Sequence, residues 1–354
     1  MCVSCTKSIL LAGRKIGNGF PCFIIAEAGV NHNGDLNMAK RLVREAKRCG
    51  ADCVKFQTFK AERVVTPTAP KAAYQLKVTD PAESQFEMLR KLELSEDDHR
   101  QLIELCRREG ITFLSTPYSL EDAELLAMLN VDGFKIASGQ LVELPFLAVI
   151  ARYGKPVILS TGMATMAEIN EAVDTLRCHG NDQIAVLQCT TNYPSTLADA
   201  NLRAMHSISD AVQAVVGYSD HTEGINASLA AIALGASVLE KHFTLNRDLT
   251  GPDHRCSSNP MEFAALVRRV REVEITLGSP LKAPTAAEIK NMVGMRRSIV
   301  ARRLIPAGTT VTADDFTFKR PATGTPPKYL SGFIGRIARV DLPADTQIKA
   351  HHFN

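Results

Sequence analysis

From residue 23 onward the chain alternates short, continuous apolar runs with longer segments of helical spacing. The runs are FIIAEAGV (23–30), CVKFQTF (53–59), ITFLSTP (111–117), GFKIAS (133–138), PVILST (156–161), IAVLQCT (184–190), AVVGYSDH (214–221) and SVLEKHFT (237–244). Continuous rather than alternating apolarity fits strands buried on both faces. The intervening segments carry helix signals. Asp35 precedes LNMAKRLVREAKRCG, which closes on Gly50, and Ser95 stands three residues before Asp98 at the head of HRQLIELCRREG. The last such helix is predicted over 260–277. Eight strand–helix units in about 220 residues predict an α/β fold of the (β/α)8 TIM-barrel type. A doubly wound sheet would carry GxGxxG after its first strand, and EAGVNHNGD does not match it.

The flanks differ in texture. Residues 8–22 read as a β-hairpin through GRKIGNG that plugs the barrel floor, so the barrel domain is expected over 1–280. The insertion at 60–83 is long and proline-bearing, a candidate lid. A linker is expected over 281–294, and a small β-rich domain over 295–354. Within that domain LIPAGTTVTADDF (304–316) recurs as DLPADTQIKAHHF (341–353), which points to an internal repeat.

Composition narrows the class without naming it. A hydrophobic share of 45% and a charged share of 22% are ordinary for a soluble globular protein. The net charge of +3 is spread without a basic run, which argues against nucleic acid as a partner. No apolar run approaches the roughly 18 residues of a membrane span, and ILLAG is too short for a signal-peptide core. Most of the cysteines, such as Cys53, Cys106, Cys178 and Cys189, lie inside strand or helix patterns and read as reduced thiols of a cytoplasmic protein. Cys2 and Cys5 have CxxC spacing, but no second Cys/His pair lies nearby to complete a zinc site.

Nearly every predicted barrel strand ends polar, at the carboxyl edge where barrels keep their chemistry. The ends supply Glu27, Lys55 and Gln57, Thr116, Lys135 and Ser138, Ser160, then Tyr193 just beyond strand six, then Ser219, His221, Glu240 and His242. Lys55 and Lys135 with the hydroxyls of Thr116, Ser138 and Ser160 suit a small dianion such as a phosphate ester bearing a carboxylate. The plain alternative for each lysine is an ion pair with a neighbouring acid such as Glu27. Side chains alternate along a strand, so if His242 points inward Glu240 does too, and Lys241 faces out. Two imidazoles on adjacent strand ends suffice to hold one divalent metal, with Glu27 and Asp253 as outer partners. The alternative is a pair of core histidines bonded to backbone carbonyls.

The motifs FIIAEAGVNHNGD, VKFQTFKAE, APKAAYQ, FLSTP, FKIASG, ILSTGMAT, VGYSDHT, EKHFT and GPDH resemble the sialic acid synthase family, and SIVARRLIPAGTTVT with FKRP resembles its fused antifreeze-like (SAF) domain. The resemblance runs from about residue 20 to the end of the chain. It implies condensation of phosphoenolpyruvate with an N-acylated aldose to a nine-carbon 2-keto acid. It implies Mn²⁺ or Mg²⁺ on His221 and His242, with Glu27 assisting near the metal and Asp253 in the catalytic set. Lys55, Thr116, Lys135, Ser138, Ser160 and Ser219 would hold phosphoenolpyruvate, and Gln57, Gln140, Tyr193, Asn192 and Asp253 would face the sugar. Arg320 would be offered to the partner's barrel in a domain-swapped homodimer.

Where the family often has an acid after the SG of strand four, this chain has Gln140, and CTTNYP displaces Asn192 relative to the family pattern. N-acetylmannosamine is the first expectation for the sugar, and 2,4-diacetamido-2,4,6-trideoxymannose, which leads to legionaminic acid, is the second. Two other classes stay open: a Schiff-base aldolase using Lys55 or Lys135, and a non-enzymatic glycan- or ice-binding module built on the tail.

Overall fold

The computed structural model describes residues 8–72, 75–77, 79–80 and 82–354, with Lys77 described by its backbone alone. Cys2, Cys5 and part of the 60–83 insertion therefore lie outside the described residues. The chain divides into two compact units, 1–278 and 279–354.

The strands of the first unit are β1 (Ser8–Leu11), β2 (Arg14–Gly17), β3 (Phe23–Gly29), β4 (Cys53–Thr58), β5 (Thr112–Pro117), β6 (Phe134–Ile136), β7 (Val157–Ser160), β8 (Ile184–Cys189), β9 (Val215–Asp220) and β10 (Val238–His242). β3 to β10 form one parallel sheet in the order β5-β4-β3-β10-β9-β8-β7-β6, and its outer members β5 and β6 lie alongside each other. Helices follow the strands around the outside, completing the TIM barrel. Their ends obey the sequence signals. Asp35 accepts from the Asn37 amide, Ser95 and Asp98 form a capping box, and the last helix of this unit is Pro260–Leu277.

The hairpin turns earlier than GRKIGNG suggested. β1 and β2 pair from Leu11 opposite Arg14, and the two turn residues, Ala12 and Gly13, have φ of 49° and 76°. Both central residues are left-handed, the conformation a two-residue hairpin turn needs to match strand twist. RKIG is thereby the second strand. Ile9, Leu11 and Ile16 bury themselves with Phe23, Ile25, Leu114, Ile158 and Leu187, filling the barrel interior below the polar strand ends. At Gly133 a Cβ would meet Leu11 Cδ1 at 2.7 Å and Pro156 O at 2.8 Å, so the plug fits because that position has no side chain.

In the second unit the stretch expected as a linker contains a ten-residue helix, Ala286–Met295, begun by a capping box between Thr285 and Glu288. The sequence TAAE (285–288) holds that box. Two further strands, β11 (Ser298–Ala301) and β12 (Phe316–Lys319), pair antiparallel. The internal repeat folds on itself at equivalent residues. Ile305 and Leu342 exchange backbone hydrogen bonds of 2.9 and 2.8 Å. Gly308 and Asp345 share positive φ, and Phe316 packs edge-on against Phe353.

Candidate active site

Strand register assembles the lower half of the site. Glu27 stands opposite Lys55 on β4 and opposite His242 on β10. Lys55 Nζ lies 2.6 Å from Glu27 Oε2 and donates to Thr116 Oγ1 at 3.2 Å. The ion pair weighed as an alternative for Lys55 thus forms, while Lys55 and Glu27 both line the same cavity. Lys135 Nζ donates to Ser160 Oγ at 2.7 Å and to Ile136 O at 3.1 Å, with Glu240 Oε1 3.7 Å away. Ser219 Oγ donates to Glu240 at 3.1 Å. Two lysines and two carboxylates, each no more than 5% exposed, carry formal charges that cancel within one buried group.

That balance sets the protonation of each group. Burial pushes the Glu27 carboxyl up to about 7 against the pull of Lys55, and Glu240 adds to the rise. Burial opposes the charge on Lys55, but Glu240 and Glu27 outweigh it and hold the ammonium protonated. Lys135 goes the other way: burial lowers it and Glu240 only partly compensates. Lys241 takes no part. It points away from the cavity to Asp220 Oδ2 at 2.9 Å and Thr222 O at 2.8 Å.

The two histidines meet at the top of β9 and β10. His221 sits one residue past β9, and its Nδ1 lies 2.7 Å from the Thr190 carbonyl. A carbonyl only accepts, so Nδ1 carries the proton and Nε2 keeps a free lone pair. His242 ends β10, and burial, with His221 beside it, holds its imidazole well below the usual range and therefore neutral. Its Nδ1 lies 3.9 Å from Asp253 Oδ2, and burial raises that carboxyl to about 6. The two rings are 5.4 Å apart, and Tyr193 packs against both, at 4.2 and 5.6 Å. Among the described residues no cluster of three or more His, Cys, Asp or Glu side chains is placed to hold a metal. Burial opposes the charge on His221, but Cys189 beside it and the Thr190 carbonyl outweigh burial and raise its hold on a proton. The chain thus offers two imidazoles which, both in the neutral form, fit a divalent cation whose other positions are filled by oxygen ligands.

These groups open into one cavity of about 370 Å³, a size suited to small-molecule ligands. It is lined by Glu27, Lys55, Gln57, Thr116, Lys135, Ser138, Gln140, Ser160, Tyr193, Ser219, His221, His242 and Asp253, all read from the sequence. Asn192 is exposed and does not line it. Its amide turns back to Thr190 O, and Thr191 takes the place at the wall. Arg320 lies in the second unit, where its Nε donates to Met295 O at 3.1 Å. Further lining residues include Tyr118, whose hydroxyl donates to Gln57 Oε1 at 3.5 Å, Cys189, Met163 and Thr191. Glu240, which strand alternation turns inward with His242, proves central to the charge balance. The 60–83 insertion and the helix Gln85–Arg90 supply an apolar wall that includes Val64, Met88 and Leu89. At Gly162, whose amide donates to Ser138 Oγ at 2.9 Å, a Cβ would collide with that hydroxyl and with Thr191.

The chain matches the NeuB family model over residues 42–282 and the SAF domain model over 296–354. The N,N'-diacetyllegionaminic acid synthase of Campylobacter jejuni is 46% identical over 92% of this chain and 98% of its own. The N-acetylneuraminate-9-phosphate synthase of Mus musculus is 39% identical over 96% of this chain and 94% of its own. The crystal structure of an N-acetylneuraminic acid (sialic acid) synthetase from Leptospira borgpetersenii, in complex with citrate, superposes with a TM-score of 0.72 at 33% identity, covering 81% of this chain and 95% of that one. By family model, by relatives over nearly its whole length and by fold, this chain belongs to the NeuB family, a TIM barrel joined to a SAF domain.

Proposed function

We propose that this protein condenses phosphoenolpyruvate with an N-acylated aldose to give a nine-carbon 2-keto sugar acid and inorganic phosphate. The observation that carries the reading is the division of one cavity into two halves. Two buried lysines with three hydroxyls line one part, suited to an anion, and the two imidazoles of His221 and His242 line another. The relatives, synthases of N,N'-diacetyllegionaminic acid and of N-acetylneuraminate 9-phosphate, support the same reaction class.

In this reading Lys55, Thr116, Lys135, Ser138, Ser160 and Ser219 hold the phosphate and carboxylate of phosphoenolpyruvate. Gln57, Tyr193 and Asp253 face the sugar. A Mn²⁺ or Mg²⁺ ion held by His221 and His242, when bound, supplies Lewis-acid polarisation of the open-chain aldehyde. The phosphoenolpyruvate methylene carbon forms the new bond to that aldehyde carbon, whose oxygen takes up a proton and becomes a hydroxyl, leaving C2 cationic. Water adds to C2 with Glu27 accepting its proton, a role suited to a carboxyl near 7. The C2–O bond to phosphate then breaks, and phosphate leaves with the bridging oxygen. Arg320 of one subunit serves the other's cavity in a homodimer.

The test is the fate of labelled water. Oxygen-18 is expected in the product ketone, and its appearance in phosphate would mean P–O cleavage and a different reaction. Trapping of the enzyme by borohydride with substrate, with no effect of a chelator, would favour the Schiff-base aldolase instead.

A further inference from the structure

The ladder between β9 and β10 stops one residue short of the two histidines. Its last pair is Lys241 opposite Asp220, and His221 lies just beyond it. His242 has a second support, because it pairs with Glu27 on β3. The His221 carbonyl accepts from the Ser195 amide at 2.8 Å, and the residues on either side of His221 are tied to a buried ion pair.

Asp220 Oδ1 accepts from the Thr222 amide at 2.8 Å and from Thr222 Oγ1 at 2.7 Å, which turns the chain over His221. Its Oδ2 accepts from Lys241 Nζ at 2.9 Å and from Ser228 Oγ, in the helix Asn226–Ala233. Lys241 Nζ also donates to the Thr222 carbonyl at 2.8 Å. One ammonium thus holds the residues on both sides of His221, and it belongs to the residue before His242. Asp220, Thr222, Ser228 and Lys241 are each at most 4% exposed, and none of the four lines the cavity.

Stability alone does not call for such a pair. A buried ion pair is commonly no more stabilising than apolar side chains of the same volume, and its best-attested use is to fix one arrangement among several. Hydrophobic burial is non-directional, whereas charge-assisted hydrogen bonds set distances and angles. Here the arrangement is that of two imidazoles whose rings are 5.4 Å apart. The Thr190 carbonyl sets the turn of the His221 ring, and the clamp sets the point from which that ring starts. Two donors hold one cation well when their spacing is set before the ion arrives, since binding otherwise has to order them.

We infer that Asp220 and Lys241 are positioning residues, whose ion pair outside the cavity fixes His221 relative to His242 and so sets the affinity of the two imidazoles for a divalent cation. The inference rests on the metal role proposed above.

The test is binding of Mn²⁺ to the metal-stripped full chain, read from the electron paramagnetic resonance signal of the free ion, with no turnover involved. The double variant Asp220→Asn with Lys241→Met removes both charges together, so neither is left buried alone. It is expected to bind Mn²⁺ about 10- to 100-fold more weakly than the wild type. Its calorimetric Kd for phosphoenolpyruvate, whose proposed lysines stand on β4 and β6, should change by less than about 3-fold. Leu102→Ala, a core truncation in the helix Glu96–Glu109, should lower the urea midpoint and leave the Mn²⁺ Kd in place. That control separates positioning from general loosening. An unchanged Mn²⁺ Kd in the double variant overturns the inference, as does an equal weakening in Leu102→Ala or an equal loss of phosphoenolpyruvate affinity. Should the double variant not fold, Thr222→Val, which drops one hydrogen bond of the clamp, carries the test. Mn²⁺ binding about 3-fold weaker then supports the inference, and binding as in the wild type overturns it. Mn²⁺ held as tightly by His221→Ala and His242→Ala as by the wild type would instead overturn the metal role itself, and the positioning role with it.

Discussion

Lys55 and Glu27 face each other on adjacent parallel strands with Nζ and Oε2 2.6 Å apart, both at most 3% exposed. Such a pair is balanced rather than idle. Removing one partner leaves the other charge buried without its counterion, a loss larger than the pair's own net stabilisation.

Lys55→Met should therefore cost about 3 kcal/mol of stability in urea unfolding, and about 100-fold or more in kcat/KM for phosphoenolpyruvate. The double variant Lys55→Met with Glu27→Gln should regain part of the stability and none of the activity. A double variant less stable than Lys55→Met would show that the two carboxylates do not need that cation.

A second relationship lies off the cavity. His32 is fully buried, and burial, with His99 next in effect, lowers its imidazole to about 4. The folded state thus holds its proton less tightly than the unfolded chain, where the ordinary value is about 6.5. Its stabilisation is complete above that value and is lost as pH falls from about 6.5 through 4. The loss is on the order of 3 kcal/mol by pH 4. Thermal unfolding across that range should show a steeper fall for the wild type than for His32→Gln. Identical slopes would remove His32 as the source.

Why so much was legible follows from how parallel barrels are built. Continuous runs such as IAVLQC are buried on both faces, so each strand announces itself by composition, and its last residues must be apolar unless they work. Lys55, Lys135 and His242 stood out because a charged or imidazole side chain at the end of such a run needs a reason. Residues beyond the strands carried no such signal. Tyr118 and Met163 follow a proline or a glycine in loops, where an aromatic or a methionine is unremarkable. Asn192 was expected at the sugar only through the family resemblance, in a segment, CTTNYP, that departs from the family pattern, and the turn at Thr190 sends it outward. The early hairpin turn was missed because Ala12, unlike glycine, does not advertise a positive φ.

The role proposed for Arg320 makes a prediction of its own. Arg320→Ala should weaken use of the sugar far more than binding of phosphoenolpyruvate. Two separately inactive proteins, Arg320→Ala and His221→Ala, should recover part of the activity when mixed under subunit exchange, because one mixed site then has all its groups. No recovery despite demonstrated exchange would place Arg320 outside the catalytic cavity.

In the proposed reaction one cavity joins phosphoenolpyruvate, held by Lys55 and Lys135, to an aldose activated at His221 and His242. The most direct measurement is phosphate release from phosphoenolpyruvate by the metal-stripped protein, with and without Mn²⁺ and with and without an N-acylated aldose. The predicted result is release only when both are present, matched mole for mole by a nine-carbon 2-keto acid, and abolished in His221→Ala and His242→Ala variants that remain folded. Equal release without metal or without sugar, or full activity in either histidine variant, would contradict it.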